Sequence, residues 1–409
     1  MTEWLECIGC GHRYPIDEIR YTCDAPAGDG GCGNLLSMTR EHQVIDRKIF
    51  DDRRLSRADI DQSGVWRFRE AVLSIDTRQI ITHPEGSTRL YERNGILFKH
   101  EGENPTGSFK DRGMTVAATQ AKRLGATAIA CASTGNTSAS LAAYAAQAGL
   151  RAVVFVPSGK ISAGKLAQTL AYGALCLQVR GDFDAAMRLV RLACDRLGIY
   201  LVNSINPFRI EGQKTIIWEL LQDLEWTAPD WIVVPAGNLG NTSAFGKALR
   251  EAFTAGWIDR VPRLAAIQAS GANPFYRSYG TGFRERHRVE AETVASAIRI
   301  GDPVSYEKAV SAIRQTNGVV EQVTDEELMA AKREIDRMGI GCEPASATTL
   351  AGVRKLRAAG VIRADERIAC ILTGHILKDT DAIMKNAPQS QIIEIDPTIE
   401  AVEAAVGRG

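Results

Sequence analysis

The run Ala126-Thr127-Ala128-Ile129-Ala130-Cys131-Ala132, followed by Ser133-Thr134-Gly135-Asn136-Thr137-Ser138 and an alanine-rich stretch to Ala148, decides the fold of this chain. The first part is almost wholly apolar and predicts a buried strand over 126–132. The second is a polar turn. The third predicts a helix over 136–148, with Gly149 in the position just past its end that favours glycine. The same unit recurs downstream. Strands are predicted over 151–156, 175–179, 200–203, 231–234, 264–269, 319–323 and 368–372, and helices over 163–172, 182–197, 209–224, 241–253, 325–338 and 344–358. Continuously apolar strands alternating with helices mean parallel sheets covered on both faces. There are more strands than one such sheet comfortably holds. The expected class is therefore α/β, with two doubly wound lobes of mostly parallel sheet. In such folds ligands bind at the loops that leave the C-terminal ends of the strands.

The chain has 409 residues, enough for more than one core. Apolar residues make up 45% and charged residues 24%, as in ordinary soluble globular proteins. The net charge is zero and no long basic run occurs, which argues against a nucleic-acid or membrane surface. The start, Met1-Thr2-Glu3-Trp4-Leu5-Glu6, is acidic and lacks the apolar centre of a secretory signal. A cytoplasmic protein is expected. Residues 41–84 are charged and mixed and predict a helical extension covering the surface; 386–409 predict a peripheral segment.

Four loops carry candidate chemistry. In Glu103-Asn104-Pro105-Thr106-Gly107-Ser108-Phe109-Lys110-Asp111-Arg112-Gly113, turn-forming residues deliver Lys110 to the start of a helix. Ser108 is placed to cap that helix, and Asp111 falls in its first turn. A lysine held this way is a candidate for Schiff-base chemistry with a carbonyl cofactor. The loop Ser133–Ser138 offers hydroxyls and an amide that serve either to cap the following helix or to receive an anion at its N-terminus. Gly237-Asn238-Leu239-Gly240-Asn241-Thr242 lets backbone N–H groups converge on phosphate oxygens, although a tight turn needs glycine in any case. Leu372-Thr373-Gly374-His375 ends the last strand.

Taken together, Asn104-Pro-Thr-Gly-Ser-Phe-Lys110-Asp-Arg, Ser133-Thr-Gly-Asn136, Gly237-Asn-Leu-Gly-Asn241, Glu343-Pro-Ala-Ser and Leu372-Thr-Gly-His resemble the threonine synthases, in the tryptophan-synthase-β-like group of enzymes that use pyridoxal 5′-phosphate (PLP). Ala297-Ile-Arg-Ile-Gly301 is also similar to that family. The resemblance covers about 85–385 and implies a catalytic core there, with a smaller lobe at about 110–200 and a larger lobe from the flanking segments. Ser-Phe-Lys-Asp-Arg is closer to threonine synthases than to cysteine synthases or to serine and threonine dehydratases. Ile376 departs from the family, which usually has glycine after Gly374-His375.

The resemblance implies roles residue by residue. Lys110 would hold PLP and act as the catalytic base. Asn136 would bond the phenolic oxygen of the cofactor, and Gly237, Asn238, Leu239, Gly240 and Asn241 its phosphate. Thr373 would meet the ring nitrogen. A neutral hydroxyl there makes the ring a weaker electron sink than a carboxylate would, which suits elimination over transamination. Ser133, Thr134, Asn203, Ser204 and Arg209 would take the phosphate of the substrate. The implied reaction turns O-phospho-L-homoserine and water into L-threonine and phosphate. Rivals are a cysteate synthase using phosphoserine and sulfite, a dehydratase-like lyase, and a non-catalytic regulator on the same fold. Expected partners are small molecules, with neither nucleic acid nor membrane, and the expected assembly is a homodimer.

Nine cysteines are unevenly placed. Cys131, Cys176, Cys194, Cys342 and Cys370 lie in apolar runs and read as buried small hydrophobes. Cys7-x-x-Cys10-Gly11 resembles half of a zinc ribbon, and Cys23 and Cys32 would complete four thiolate ligands. The second pair is spread by a Gly/Asp-rich insert over 24–31. The expectation is a ribbon-like module over 1–40 with one structural zinc.

Overall fold

A computed structural model describes residues 2–27, 30–41, 43–158, 163–181, 183–386 and 392–406. Position 182, where the sequence starts the helix 182–197, lies outside them, as do 28 and 29 of the cysteine-rich insert and 387–391 and 407–409 of the tail.

The strands, in chain order, are β1 (Glu3–Cys7), β2 (Arg13–Pro15), β3 (Pro26–Ala27), β4 (Gly30–Gly31), β5 (Leu36–Arg40), β6 (Leu90–Arg93), β7 (Ile96–His100), β8 (Ala128–Ala132), β9 (Arg151–Pro157), β10 (Leu175–Val179), β11 (Tyr200–Leu201), β12 (Trp231–Pro235), β13 (Arg263–Ala269), β14 (Val319–Val323) and β15 (Ile368–Leu372). The smaller of the two main sheets has the order β10-β9-β8-β11 and is parallel throughout. The larger has the order β14-β13-β12-β15-β7-β6 and is parallel except for the edge strand β6. Every residue of β8, β12 and β15 is buried, as their unbroken apolar runs require.

Chain order reverses inside each sheet. β15 inserts between β12 and β7, and β11 joins β8 on the side away from β9. Each reversal leaves two neighbouring loops diverging at the C-terminal edge, which is where such sheets open a crevice. The loops after β7, β12 and β15 belong to one crevice, and those after β8 and β11 to the other.

The hairpin β6-β7 was not expected from the sequence. Its turn is Asn94-Gly95, with φ of 52° and 70°, the dipeptide that best fits a two-residue hairpin. Lys99 hid it by interrupting the apolar run. That lysine is fully buried and its Nζ lies 2.7 Å from both Glu219 and Asp223. The helix expected over 209–224 starts earlier, because Asn206 accepts from the Phe208 N–H and Pro207 opens the first turn. It then divides into Pro207–Gln213 and Thr215–Asp223 at Lys214, which keeps helical dihedrals.

The segment 41–84 is not merely a cover. Its short helices send Phe50, Trp66 and Phe68 into the main core without residual exposure. Trp66 Nε1 donates to Thr115 Oγ1 at 2.8 Å, on the helix that begins at Lys110. The N-terminal sheet, order β2-β1-β5, joins the same core through Leu5, Leu36 and Met38. Lys308 donates to the Leu36 carbonyl at 2.6 Å and Lys247 to that of Met38 at 2.6 Å, while Arg40 pairs with Glu211 at 3.4 Å.

The chain separates into two compact units, Met1–Lys378 and Asp379–Gly409. The second holds the helices Thr380–Asn386 and Ile399–Val406. Among the described residues, no helix is long and apolar enough to cross a membrane.

Candidate active site

Lys110 opens the helix Lys110–Arg123, which packs on Pro207–Gln213. The two helices meet through glycines: a Cβ on Gly212 would lie 1.7 Å from the Arg112 carbonyl oxygen, and one on Gly113 would lie 2.9 Å from that of Arg209. Only this close approach brings Arg209 beside Lys110. Ser108 does not cap the helix as expected. Phe109 holds the cap position, and Ser108 instead forms an isolated bridge with Gly374 while Phe109 N–H donates to the Thr373 carbonyl at 3.0 Å. The Lys110 loop is thus pinned to the loop after β15. Asp111 closes the turn from within, taking the Thr106 N–H at 2.7 Å and its hydroxyl at 2.6 Å.

Among the described residues, the Lys110 ammonium has no hydrogen-bond or ion-pair partner and rests over the Phe109 ring, 3.8 Å from its centre. Burial, with the Arg209 charge adding to it, holds its pKa down to about 7, against a smaller opposing pull from Glu343. Near neutral pH a large fraction of Lys110 is therefore free amine, the form that attacks a carbonyl and accepts a proton.

The loop after β12 is shaped for an anion. Leu239, at φ 63°, turns left-handed just before the 15-residue helix Gly240–Thr254, so successive N–H groups face the loop. Asn241 Oδ1 and Thr242 Oγ1 are buried there without partners. Asn238 fastens the loop by accepting from Val304 N–H at 3.0 Å and donating to Ser204 Oγ at 3.3 Å. Unsatisfied N–H groups beside orphaned polar atoms fit a bound phosphate.

The loops of the smaller sheet complete the cleft. Ser133, Thr134 and Asn136 are half-buried after β8. Gly135 takes the helix cap position without a side-chain bond, so the hydroxyls of Ser133 and Thr134 do not cap the helix. Asn203 brackets Ala132, accepting from its N–H at 3.0 Å and donating to its carbonyl at 3.1 Å, which ties the loops after β8 and β11 together. Arg209 donates Nη1 to the Val202 carbonyl at 3.1 Å and keeps Nε buried and unpartnered. Burial lowers its pKa to about 10, a sign that the guanidinium lacks a counter-charge.

Asn136 reaches across to the larger lobe, donating Nδ2 to Glu343 Oε2 at 2.9 Å. The other oxygen of Glu343 takes the Thr373 hydroxyl at 3.0 Å. Glu343 was quoted in the motif without a role. Its signal was Gly374, whose Cβ would sit 2.4 Å from the Glu343 carboxyl carbon, so no larger residue fits there. Ile376, the departure from the family pattern, packs against Gly341, whose added Cβ would lie 3.2 Å from it.

Far along the chain from this cleft, the Sγ atoms of Cys7, Cys10, Cys23 and Cys32 all lie within 4.8 Å of one another. The pairs Cys7–Cys32 and Cys10–Cys23 are 3.5 and 3.6 Å apart. A tetrahedral zinc with bonds of about 2.3 Å needs sulfurs about 3.8 Å apart, so the four thiols fit one. Despite the uneven spacing, both halves use the same turn: Gly11 and Gly33, each just after a cysteine, have φ of 73° and 67°. Gly9 N–H and Asn34 Nδ2 donate to Cys7 and Cys32 Sγ at 3.4 and 3.1 Å, bonds that favour thiolate.

The threonine synthase of Methanocaldococcus jannaschii is 45% identical over 408 residues, covering 96% of this chain and 97% of that one. The chloroplastic threonine synthase 2 of Arabidopsis thaliana is 41% identical, covering 90% and 75%. The crystal structure of threonine synthase from Escherichia coli superposes with a TM-score of 0.70 over 99% of this chain and 94% of that one, at 18% identity, which speaks to the fold alone. Residues 77–374, from before β6 to just past β15, match the family model described as pyridoxal-phosphate dependent enzyme. The chain belongs to the pyridoxal-phosphate dependent enzyme family.

Proposed function

We propose that this chain is a threonine synthase that converts O-phospho-L-homoserine and water to L-threonine and phosphate. The observation that carries the reading is the pairing, in one cleft, of an unpartnered amine with a low pKa, Lys110, and a buried guanidinium with a free Nε, Arg209. Relatives that cover nearly the whole chain carry the same name.

PLP, when bound, supplies the electron sink for charge that develops at the α-carbon of the substrate. The other steps fall to the residues. Lys110 anchors the cofactor, and its Nζ, once free, takes the α-proton. Gly237, Asn238, Leu239, Gly240 and Asn241 hold the cofactor phosphate, Asn136 its phenolic oxygen, and Thr373 its ring nitrogen. Arg209, with Ser133, Thr134, Asn203 and Ser204, binds the phosphate of the substrate and stabilises it as it leaves. Asn203 spends its amide on Ala132 and contributes mainly by fixing the loop.

The four cysteines at the start hold one structural zinc. They leave no open coordination position and take no part in the chemistry. The working division is a ribbon-like module over 1–40, an extension over 41–84, a core over 85–385 and a peripheral segment over 386–409. The balanced charge and the lack of a long apolar helix among the described residues support a cytoplasmic enzyme of small molecules; a homodimer is the assembly proposed.

The experiment is phosphate release from phosphohomoserine and from phosphoserine with sulfite, side by side. The expected result is turnover of the first with threonine as product, lost in Lys110→Ala. Preferential turnover of phosphoserine makes the chain a cysteate synthase, and full activity in Lys110→Ala overturns the role of the lysine.

A further inference from the structure

One turn beyond Arg209, Gln213 closes the helix Pro207–Gln213 and is only 4% exposed. Its carboxamide is wedged between two glycines. A Cβ on Gly113, three residues beyond Lys110, would lie 3.2 Å from Nε2, and one on Gly240, in the loop after β12, would lie 3.3 Å from Oε1. Oε1 is buried without a partner, and among the described residues no hydrogen bond holds Nε2. A glutamine that served packing alone would have its carboxamide satisfied by neighbouring backbone, because an unpaired buried amide costs stability.

Gln213 does not stand alone in this. Asn241 Oδ1 and Thr242 Oγ1, in the first turn of the helix Gly240–Thr254, are also buried and unpartnered. Three orphaned polar side chains thus gather at the start of one 15-residue helix, where free N–H groups already favour an anion.

We infer that Gln213 is a further binding residue for the phosphate of the cofactor, donating its carboxamide NH₂ from the side of the Lys110 helix while the loop 237–241 donates backbone N–H groups. This rests on the assignment of that loop to the cofactor phosphate. A half-turn about the last side-chain bond exchanges the oxygen and the NH₂, so either end can face Gly240. The glycines at 113 and 240 leave the carboxamide the room it occupies.

A neutral donor suits the place. Arg209, one turn away, is already a buried cation without a counter-charge. A second cation beside it would be costly to bury before any phosphate arrives. A carboxamide supplies the donor without that charge, and the dianion it meets strengthens the bond.

The test compares PLP with pyridoxal, which lacks the phosphate, for binding to the apoprotein of the wild type and of Gln213→Met, a change of nearly constant volume. The expected result is that Gln213→Met binds PLP roughly 10- to 150-fold more weakly and binds pyridoxal as the wild type does. An equal loss for both compounds makes Gln213 a support of the cleft and overturns the inference, and so does no loss for either. A wild type that binds pyridoxal as tightly as PLP overturns the assignment of the loop itself, a failure distinct from that of Gln213. Gln213→Leu carries the same comparison, with the same outcomes, should Gln213→Met not fold.

Discussion

Both oxygens of Glu101 are held by the guanidinium of Arg112, Nε to Oε2 at 2.6 Å and Nη2 to Oε1 at 2.7 Å, and neither side chain reaches solvent. Arg112 Nη2 also pairs with Glu219 at 2.7 Å, which Arg67 and Lys99 approach equally closely. This network fixes the first turn of the helix that carries Lys110, and it explains why arginine stands two residues beyond the lysine. Arg112→Leu strands the buried carboxylate of Glu101 and takes one of three cations from Glu219, and is expected to cost about 3–5 kcal/mol. Arg112→Lys keeps the charge but loses the two-pronged contact, and is expected to fall between the two. Thermal unfolding midpoints of the three proteins check the order.

The depressed pKa of Lys110 has a sign that can be tested in the apoprotein. A lysine at about 7 in the folded chain and 10.5 in the unfolded one binds fewer protons when folded, between those values. Its burial therefore costs stability in full below about pH 7, and the cost is relieved as pH rises from about 7 to 10.5. The melting temperature of the apoprotein is expected to rise across that window relative to that of Lys110→Met, which lacks the titration. The rate of covalent capture of PLP is expected to rise through about pH 7 and level off. A rate still climbing steeply at pH 9 contradicts a lowered pKa.

Arg209 is expected to separate binding from folding. Losing a charge-assisted hydrogen bond to a phosphate costs about 1.5–3 kcal/mol, or roughly 10- to 150-fold in kcat/KM. Arg209→Gln is expected to show that loss with phosphohomoserine, and to lose inhibition by inorganic phosphate. It also removes a buried cation without a counter-charge, so its melting temperature is expected to stay level or rise. A variant that unfolds early but keeps its kcat/KM makes Arg209 a structural residue.

The parts of this fold written in apolar periodicity were legible in the sequence. β8, β10, β12 and β14 with their following helices, and β15 with the helix before it, stand within a residue or two of expectation. What escaped was held together by charge. β7 carries Lys99 in a fully buried row, and no hydropathy pattern announces a strand whose cation is neutralised by Glu219 and Asp223, more than a hundred positions later. The segment 41–84 looked like surface because its aromatic residues are scattered among arginines and aspartates, several of which are themselves paired, such as Arg53 with Glu70 at 2.5 Å and Arg69 with Asp61 at 2.7 Å. In the candidate site, the turn after β12 that is shaped for an anion was readable from glycine and asparagine spacing. Glu343 was not, because its meaning depends on Asn136 and Thr373, which reach it from different loops.

Metal removal is expected to reach the catalytic body through the carbonyls of β5. Lys308 is half-buried, and the loss of solvent around its ammonium together with the neighbouring charge of Lys247 holds its pKa down to about 7; its Nζ donates to the Leu36 carbonyl. Lys247 donates to the Met38 carbonyl and also pairs with Glu211, two residues beyond Arg209. With four thiolates drawn together by zinc, β1 and β5 keep their register and these cations keep their acceptors. Without it, nothing holds the four thiols together and the sheet loosens, so that Lys247, Lys308 and Arg40 lose their part-buried partners. The purified protein is expected to hold one zinc per chain with four sulfur ligands, read by metal analysis and X-ray absorption. Chelation, or Cys10→Ser, is expected to lower the melting temperature by several degrees and to speed amide hydrogen exchange in Pro207–Gln213 and Tyr306–Gln315. Unchanged exchange in those helices after full metal loss makes the ribbon a passive appendage.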